Sequence, residues 1–345
     1  MIEWLTLPEA TRERICREIA EDTGLSPFAV EKDWWVVQTL SVIFEMEVAK
    51  HLVFKGGTSL SKAWNLIQRF SEDVDLAIDR EFFGFSGELS KNKRTELRKA
   101  ASEYTSGPFF EELQKRFAAR GISGVNFGLV PATSTDQDPR IIEIRYPNLV
   151  STIGSMLPKV LVEIGCRSLR EPFTLRTFAS MVDEGYPRSG FALPPVNIPT
   201  VNPERTFLEK VFLLHEEFQR PMVKMRVERL GRHLYDVVKL SKTEYADKAL
   251  ADSSLYQTIV DHRHTYARVG GVNYNLHQPQ TINPVPIPEV LESWKEDYKA
   301  SVAQMIYESS PPSFDEILRD LYSLKARINS LPWQLDKEYP IPPLI

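Results

Sequence analysis

Residues 54 to 78 read FKGGTSLSKAWNLIQRFSEDVDLAI. A short apolar run, HLVFK (51–55), meets two consecutive glycines, Gly56 and Gly57, and a chain can leave a strand that abruptly only through a tight turn. Leu60, Trp64 and Ile67 then recur at helical spacing, so a helix is expected to begin near Thr58. DVDLAI (73–78) is the next strand candidate, apolar except for Asp73 and Asp75. Strand, turn, helix and strand inside 28 residues (51–78) commit this region to a mixed α and β architecture.

The same residues point to chemistry. Glycines let a backbone approach a ligand closely, and free amides at a helix N-terminus favour phosphate. Taken alone, the turn reads equally well as an ordinary glycine turn with Thr58 as N-cap. Asp73 and Asp75 shift the balance, because side chains two apart in a strand share a face. Two carboxylates held that close repel unless cations neutralise them, and hard oxygen donors suit Mg²⁺. Solvated aspartates at an exposed strand end are the alternative, and Leu76, Ala77 and Ile78 fit that poorly. A third carboxylate would complete a two-metal site. Glu163 in VLVEIGC and Glu143 in RIIEIRY are both charges in apolar strands, where a charge needs a reason; pairing with a strand arginine such as Arg145 is the other explanation for either.

Further strands are expected at 125–130, 140–146 and 158–166, with helices at 8–25, 26–46, 91–104 and 107–120. From Pro203 onward the pattern is helical, near 203–218, 224–241, 253–267, 288–308 and 313–330. The expected fold class is α+β: a mixed sheet flanked by helices over 1–200, then a mainly helical domain over 201–345 that completes the active site, joined near the Pro-rich stretch LPPVNIPTVNP (193–203). A length of 345 residues suffices for a sizeable core. Two cysteines, Cys16 and Cys166, lack metal-type spacing, which argues against a disulfide scaffold or zinc knuckle. The net charge of −5 excludes a chain coated in positive charge and leaves room for a local basic groove. No leader pattern or membrane-length apolar run is seen, so a cytoplasmic protein is expected. No Walker A lysine, nucleophile elbow or Rossmann fingerprint appears.

The block GGTSLSKAW…RFSEDVDL resembles the signature of the AbiEii-type toxin nucleotidyltransferases, including the related MenT toxins, within the DNA polymerase β-like nucleotidyltransferase superfamily. EKDWWVVQTL (31–40) is similar to the family's N-terminal helix, KVLVEIGCR to its third-carboxylate strand, PERTFLEKVFLLH (203–215) to its lysine helix and RHLYDVVKL (232–240) to its later aspartate. Thr58 stands where the wider superfamily often has serine. The resemblance implies a toxin of a toxin–antitoxin or phage-defence system that transfers NMP from an NTP to an acceptor hydroxyl, with the tRNA 3′ end as acceptor and a cognate antitoxin as partner. It implies Asp73, Asp75 and Glu163 as ligands of two Mg²⁺ ions, Gly56, Gly57, Thr58, Ser59 and Arg69 as nucleotide-binding residues, Lys210 reaching the triphosphate, and Asp236 in the active site. Lys62 is a less certain phosphate ligand. Without the resemblance, Lys210 reads equally as a snorkelling lysine and Asp236 as the i,i+4 partner of Arg232.

Two other readings stay open: transfer to a protein side chain or small molecule, and a noncatalytic regulator that only binds nucleotide. The stretch DHRHTYARVGGVNYNLHQPQ (261–280) interleaves Arg263, His264, Tyr266, Arg268 and Tyr274 in the manner of a single-strand-binding surface, or else is a helix end and loop. His262 and His264 lie two apart and do not share a helix face, which excludes a histidine metal site there.

Overall fold

The computed structural model describes residues 2–71, 73–151 and 157–341. The chain divides into two units, Met1–Asn65 with Phe70–Val201, and Leu66–Arg69 with Asn202–Ile345.

In the first unit, α1 (Glu3–Thr6), α2 (Glu9–Thr23) and α3 (Pro27–Ile43) precede the strand β1 (Leu52–Lys55), the single turn α4 (Gly56–Thr58) and β2 (Asp73–Ile78). The helices α5 (Lys91–Tyr104) and α6 (Phe110–Ala119) follow, then β3 (Asn126–Leu129), β4 (Arg140–Arg145), β5 (Lys159–Gly165), β6 (Phe173–Phe178), α7 (Met181–Gly185) and β7 (Val196–Val201). The seven strands form one mixed sheet in the order β3-β4-β5-β2-β1-β7-β6. β2 runs parallel to β5 and β1 parallel to β7, and the other neighbours are antiparallel. The α+β expectation therefore holds.

One face of the sheet is the core. Val74, Leu76, Ile142, Ile144, Val160, Val162 and Ile164 alternate along their strands and pack with α3, α5 and α6 residues such as Trp34, Leu97 and Phe117. Alternation then forces Asp73, Asp75 and Glu163 onto the opposite face. α3 is buried on nearly all sides, and it begins as its Ser-Pro entry dictates, with Ser26 Oγ accepting from Ala29 N and Pro27 at the first helical position.

Two strands have no counterpart in the sequence reading. β7 lies inside the Pro-rich stretch taken for a connection, with Pro199 opposite Leu175, and proline inside a run is ordinarily a sign against a strand. β6 is an edge strand with half of its side chains exposed and a single one, Phe178, fully buried, so it lacks an apolar face to read. The helix expected from Thr58 also differs: after α4 a π-type turn over Ser59–Ala63 ends it, and Asn65 takes φ +51°.

The second unit is helical: α8 (Pro203–Glu217), α9 (Gly231–Ser241), α10 (Glu244–Ala251), α11 (Ser253–Tyr266), α12 (Leu291–Gln304) and α13 (Phe314–Asn329). α10 was not foreseen, and α9 starts seven residues later than the expected 224. Among the described residues, no helix is long and apolar enough to cross a membrane.

Candidate active site

In the first unit the glycine turn and the acidic strand are built against one another. β1 pairs with β2 so that Lys55 lies opposite Asp75, and Gly56 follows at φ +82°. A Cβ at Gly56 would sit 2.0 Å from Asp75 Oδ2, so glycine is required here both by conformation and by the carboxylate lying against its Cα. Thr58 Oγ1 donates to the Asp73 carbonyl oxygen at 2.5 Å, and Ser59 Oγ donates to Gly56 O at 2.9 Å. Both hydroxyls are buried. They tie the turn to the start of β2.

Asp75 is in register with Glu163 on the parallel neighbour β5, and Asp73 with Leu161. Directly paired residues share a face, so Asp73, Asp75 and Glu163 project together. Glu143 sits one strand further out, opposite Leu161. Its carboxylate accepts from Arg145 Nε and Lys159 Nζ; burial opposes its ionisation, but the two cations outweigh this and hold it below the ordinary glutamate range. The arginine pairing that the sequence left open for either glutamate is thus what occupies Glu143.

Lys62 lies with Nζ 3.0 Å from Asp33 Oδ1, and Asp33 Oδ2 also accepts from Met181 N at 2.7 Å. Lys62 is therefore a strut from the turn to α3 rather than a solvent-facing cation. Two further props come from the strands that sequence missed: Arg176 of β6 stacks 4.4 Å above the Trp64 ring and donates from Nε to Ala63 O at 3.0 Å, and Trp64 Nε1 donates to Val201 O at 3.0 Å.

The second unit gathers three of the expected residues, two of them 167 positions apart. Asp236 of α9 accepts from Arg69 Nε at 2.6 Å and Nη2 at 2.7 Å, and Lys210 Nζ of α8 lies 2.9 Å from its Oδ2. Asp236 and Arg69 are buried, and Lys210 is 7 % exposed. Burial opposes ionisation of Asp236, yet Arg69 and Lys210 overcome it and hold the carboxyl far below the ordinary range. Burial lowers the Lys210 pKa, only partly offset by Asp236. His233, which sequence did not single out, is kept neutral by burial and by the Lys210 charge; its Nδ1, 3.2 Å from Lys210 Nζ, accepts from the ammonium. Asp236 is thus shared between two buried cations, Arg69 and Lys210. On the same helix, Lys239 pairs with Glu308 at 2.9 Å.

Much of the stretch 261–280 is engaged within the fold, while Tyr266 is half-buried and Arg268 exposed. Arg263 donates to Glu216 through Nε at 2.7 Å and through Nη2. Tyr274 is buried and stacked on His277 at 4.7 Å, and His264 packs on Tyr274 and Tyr339. Burial of these rings is a core function.

The donor chemistry of Asp73, Asp75 and Glu163 suits a hard dication. Among the described residues, however, no three His, Cys, Asp or Glu side chains come together as a ligand set. Asp73, Asp75 and Glu163 nevertheless share one face of the sheet, with Asp75 in register with Glu163.

No match was found among curated proteins. Among solved structures the chain is similar to MenT4, a nucleotidyltransferase toxin from Mycobacterium tuberculosis H37Rv, at 19% identity and a TM-score of 0.42, covering 94% of this chain and 100% of that one. It is also similar to JHP933 from Helicobacter pylori, at 13% identity and a TM-score of 0.41, over 85% of this chain and 89% of that one. The family model for the nucleotidyl transferase AbiEii toxin of type IV toxin–antitoxin systems matches residues 40–320, which include the glycine turn, the acidic strand and both residues of the buried lysine–aspartate pair. The chain belongs to the AbiEii nucleotidyltransferase toxin family.

Proposed function

We propose that the protein transfers NMP from an NTP to an acceptor hydroxyl at the 3′ end of tRNA, in a reaction that depends on Mg²⁺. Family membership gives nucleotidyl transfer, an NTP as donor and an antitoxin as counterpart; the acceptor and the metal are the added steps. The observation that carries the reading is the register of Asp75 with Glu163 beside a glycine whose Cα is packed against the Asp75 carboxylate. That arrangement has a use in phosphoryl transfer, since it places like charges side by side where a cation can neutralise them.

Asp73, Asp75 and Glu163 would hold the ions, two Mg²⁺ in the full reading. When bound, magnesium would neutralise phosphate charge and ease loss of the acceptor hydroxyl's proton. The turn at Gly56, Gly57, Thr58 and Ser59 would offer backbone amides to the phosphates, the two hydroxyls being engaged in holding the turn. By the family resemblance, Lys210 and Arg69 of the second unit would serve as cations for phosphate, and Asp236 would hold both in place. The acceptor oxygen bonds to the α-phosphorus, the bond from that phosphorus to the bridging oxygen breaks, and pyrophosphate leaves.

Purified protein incubated with each α-labelled NTP and with total RNA, protein or metabolite fractions should label the tRNA fraction, and EDTA should abolish labelling. Asp73→Ala and Asp75→Asn should remove at least about 10²-fold of the rate with the melting temperature unchanged or raised, because one of two repelling carboxylates is gone. Wild-type turnover in either variant overturns the assignment. Full activity in Glu163→Gln with loss in Glu143→Gln would move the third carboxylate to Glu143.

A further inference from the structure

Between α8 and α9 the chain runs through RPMVKMRVERLGR (220–232), with five cations, Arg220, Lys224, Arg226, Arg229 and Arg232, against one acid, Glu228. In a chain of net charge −5 this is a local reversal of sign. Two acids fix the shape of the loop. Glu217, 1 % exposed, accepts from Arg226 N at 2.5 Å, Arg226 Nη2 at 2.7 Å and Arg220 Nη1 at 3.2 Å. Asp297 accepts from Arg229 N at 2.7 Å and Gly231 N at 2.5 Å. Between them Arg229 takes φ +61°, a conformation a residue with a side chain adopts at a cost. Gly231 admits no side chain, since a Cβ there would lie 2.7 Å from Tyr298 N.

What this framework holds out is not something folding rewards. The turn Met222–Lys224 carries Val223 at 92 % exposure and Met222 at 58 %, with Lys224, Arg226 and Arg229 exposed around it. Exposed apolar side chains beside Lys224, Arg229 and the Glu217-held Arg226 match a polyanion that also offers an apolar face, and an unstacked nucleic-acid end has both: phosphates for the cations and a base for the apolar tip. The field also runs on within the same unit, because Arg232 at the end of the loop adds to the charge that lowers the Lys210 pKa.

We propose that the 220–232 loop docks the single-stranded end of an acceptor nucleic acid, with Lys224, Arg226 and Arg229 on its phosphates and Met222 and Val223 against a terminal base. This rests on the acceptor being RNA, as proposed above. The test is fluorescence anisotropy of a short fluorescein-labelled single-stranded RNA and of unfractionated tRNA with wild type, Asp75→Asn, Lys224→Glu and Val223→Asp. Both loop changes are at exposed side chains, so folding and binding of a fluorescent mononucleotide should be unaltered. Lys224→Glu should weaken RNA binding about tenfold near 50 mM salt and make the dependence of log K on log salt shallower by about one, as expected when about one phosphate contact is lost. Val223→Asp should weaken it at all salt concentrations. Asp75→Asn should bind as wild type does. Unchanged RNA affinity in both loop variants overturns the proposal, and if light scattering then shows that Val223→Asp breaks a dimer, the tip instead holds a second copy of the chain. Loss of RNA binding in the loop variants alongside a wild type that transfers nucleotide to no RNA would sustain the loop assignment and sink the acceptor.

Discussion

A single methyl group separates the glycine turn from an inert one. Because a Cβ on Gly56 would lie 2.0 Å from Asp75 Oδ2 on a backbone at φ +82°, Gly56→Ala must either rotate the peptide or push the carboxylate aside. The expected cost is about 1–3 kcal/mol of stability from the strained backbone alone, and about 10²-fold in transfer if the carboxylate moves by an ångström. Thermal melting and initial rates measured together separate the two, and a destabilised variant with wild-type turnover would mean that the Asp75 carboxylate takes no part. Thr58 makes a gentler probe, since its hydroxyl is spent on the Asp73 carbonyl. Thr58→Ser keeps the bond and should be silent, whereas Thr58→Val should lose about 0.5–1.5 kcal/mol, the net contribution of an ordinary hydrogen bond. Equal behaviour of the two would show that the hydroxyl does not position β2.

At the scale of elements, what could be read in advance depended on periodicity. α3, α5, α8, α11 and α13 declared themselves through helical patterning, α3 also through the Ser-Pro entry at Ser26, and β2, β4 and β5 through apolar alternation with a few charges. β6 and β7 could not be read, because an exposed edge and a proline remove the pattern that marks a strand. The carboxylate pair was legible because two-residue spacing fixes a face; the choice between Glu163 and Glu143 was not, because it depends on which strand lies beside β2. The second unit also carries a pH dependence that no pattern announces. Burial pushes His215 down to about 3, with His277 adding to the shift, and burial likewise depresses His277 and His233. Groups depressed in the folded state bind protons more readily when unfolded, so their stabilising contribution is complete above pH ~6.5 and is lost as pH falls. Each histidine can contribute up to about 1.4 kcal/mol per pH unit. Glu216 opposes nothing in this range: burial raises its pKa, but Arg263 and His277 hold it down to about 2, so its contribution fades only below about pH 4.5. Glu31, which burial raises to about 7, works the other way over the same range, so urea midpoints between pH 7.5 and 5 should fall on the balance of the histidines, with His215→Gln showing a lower midpoint and a shallower slope. A slope unchanged by that substitution would remove His215 from the account.

For the whole molecule the question is whether harm to a cell comes from chemistry or from the presence of the chain, and the buried cluster of the second unit offers a substitution that separates them. Lys210 is nearly enclosed, so removing it would be expected to damage the fold were Asp236 to be left alone. It is not: Arg69 still donates to both oxygens of Asp236, and Lys210→Met keeps the length of the stem, so stability should stay within about 1.5 kcal/mol. Asp236→Ala lacks that protection, because it takes the shared carboxylate from both cations, and should cost about 3–5 kcal/mol, the range for breaking a buried ion pair. A lysine that stabilises charge as it develops in transfer should lower turnover far more than folding when it is lost. Expressed without an antitoxin, the wild-type chain should therefore arrest growth and leave tRNA with extended 3′ ends that resist charging. Lys210→Met, at matched abundance and melting temperature, should permit growth and leave tRNA ends intact, as should Asp73→Ala and Asp75→Asn. Equal growth arrest from the wild type and all three folded variants would place the toxicity in binding or in misfolding, and nucleotidyl transfer would no longer be its cause.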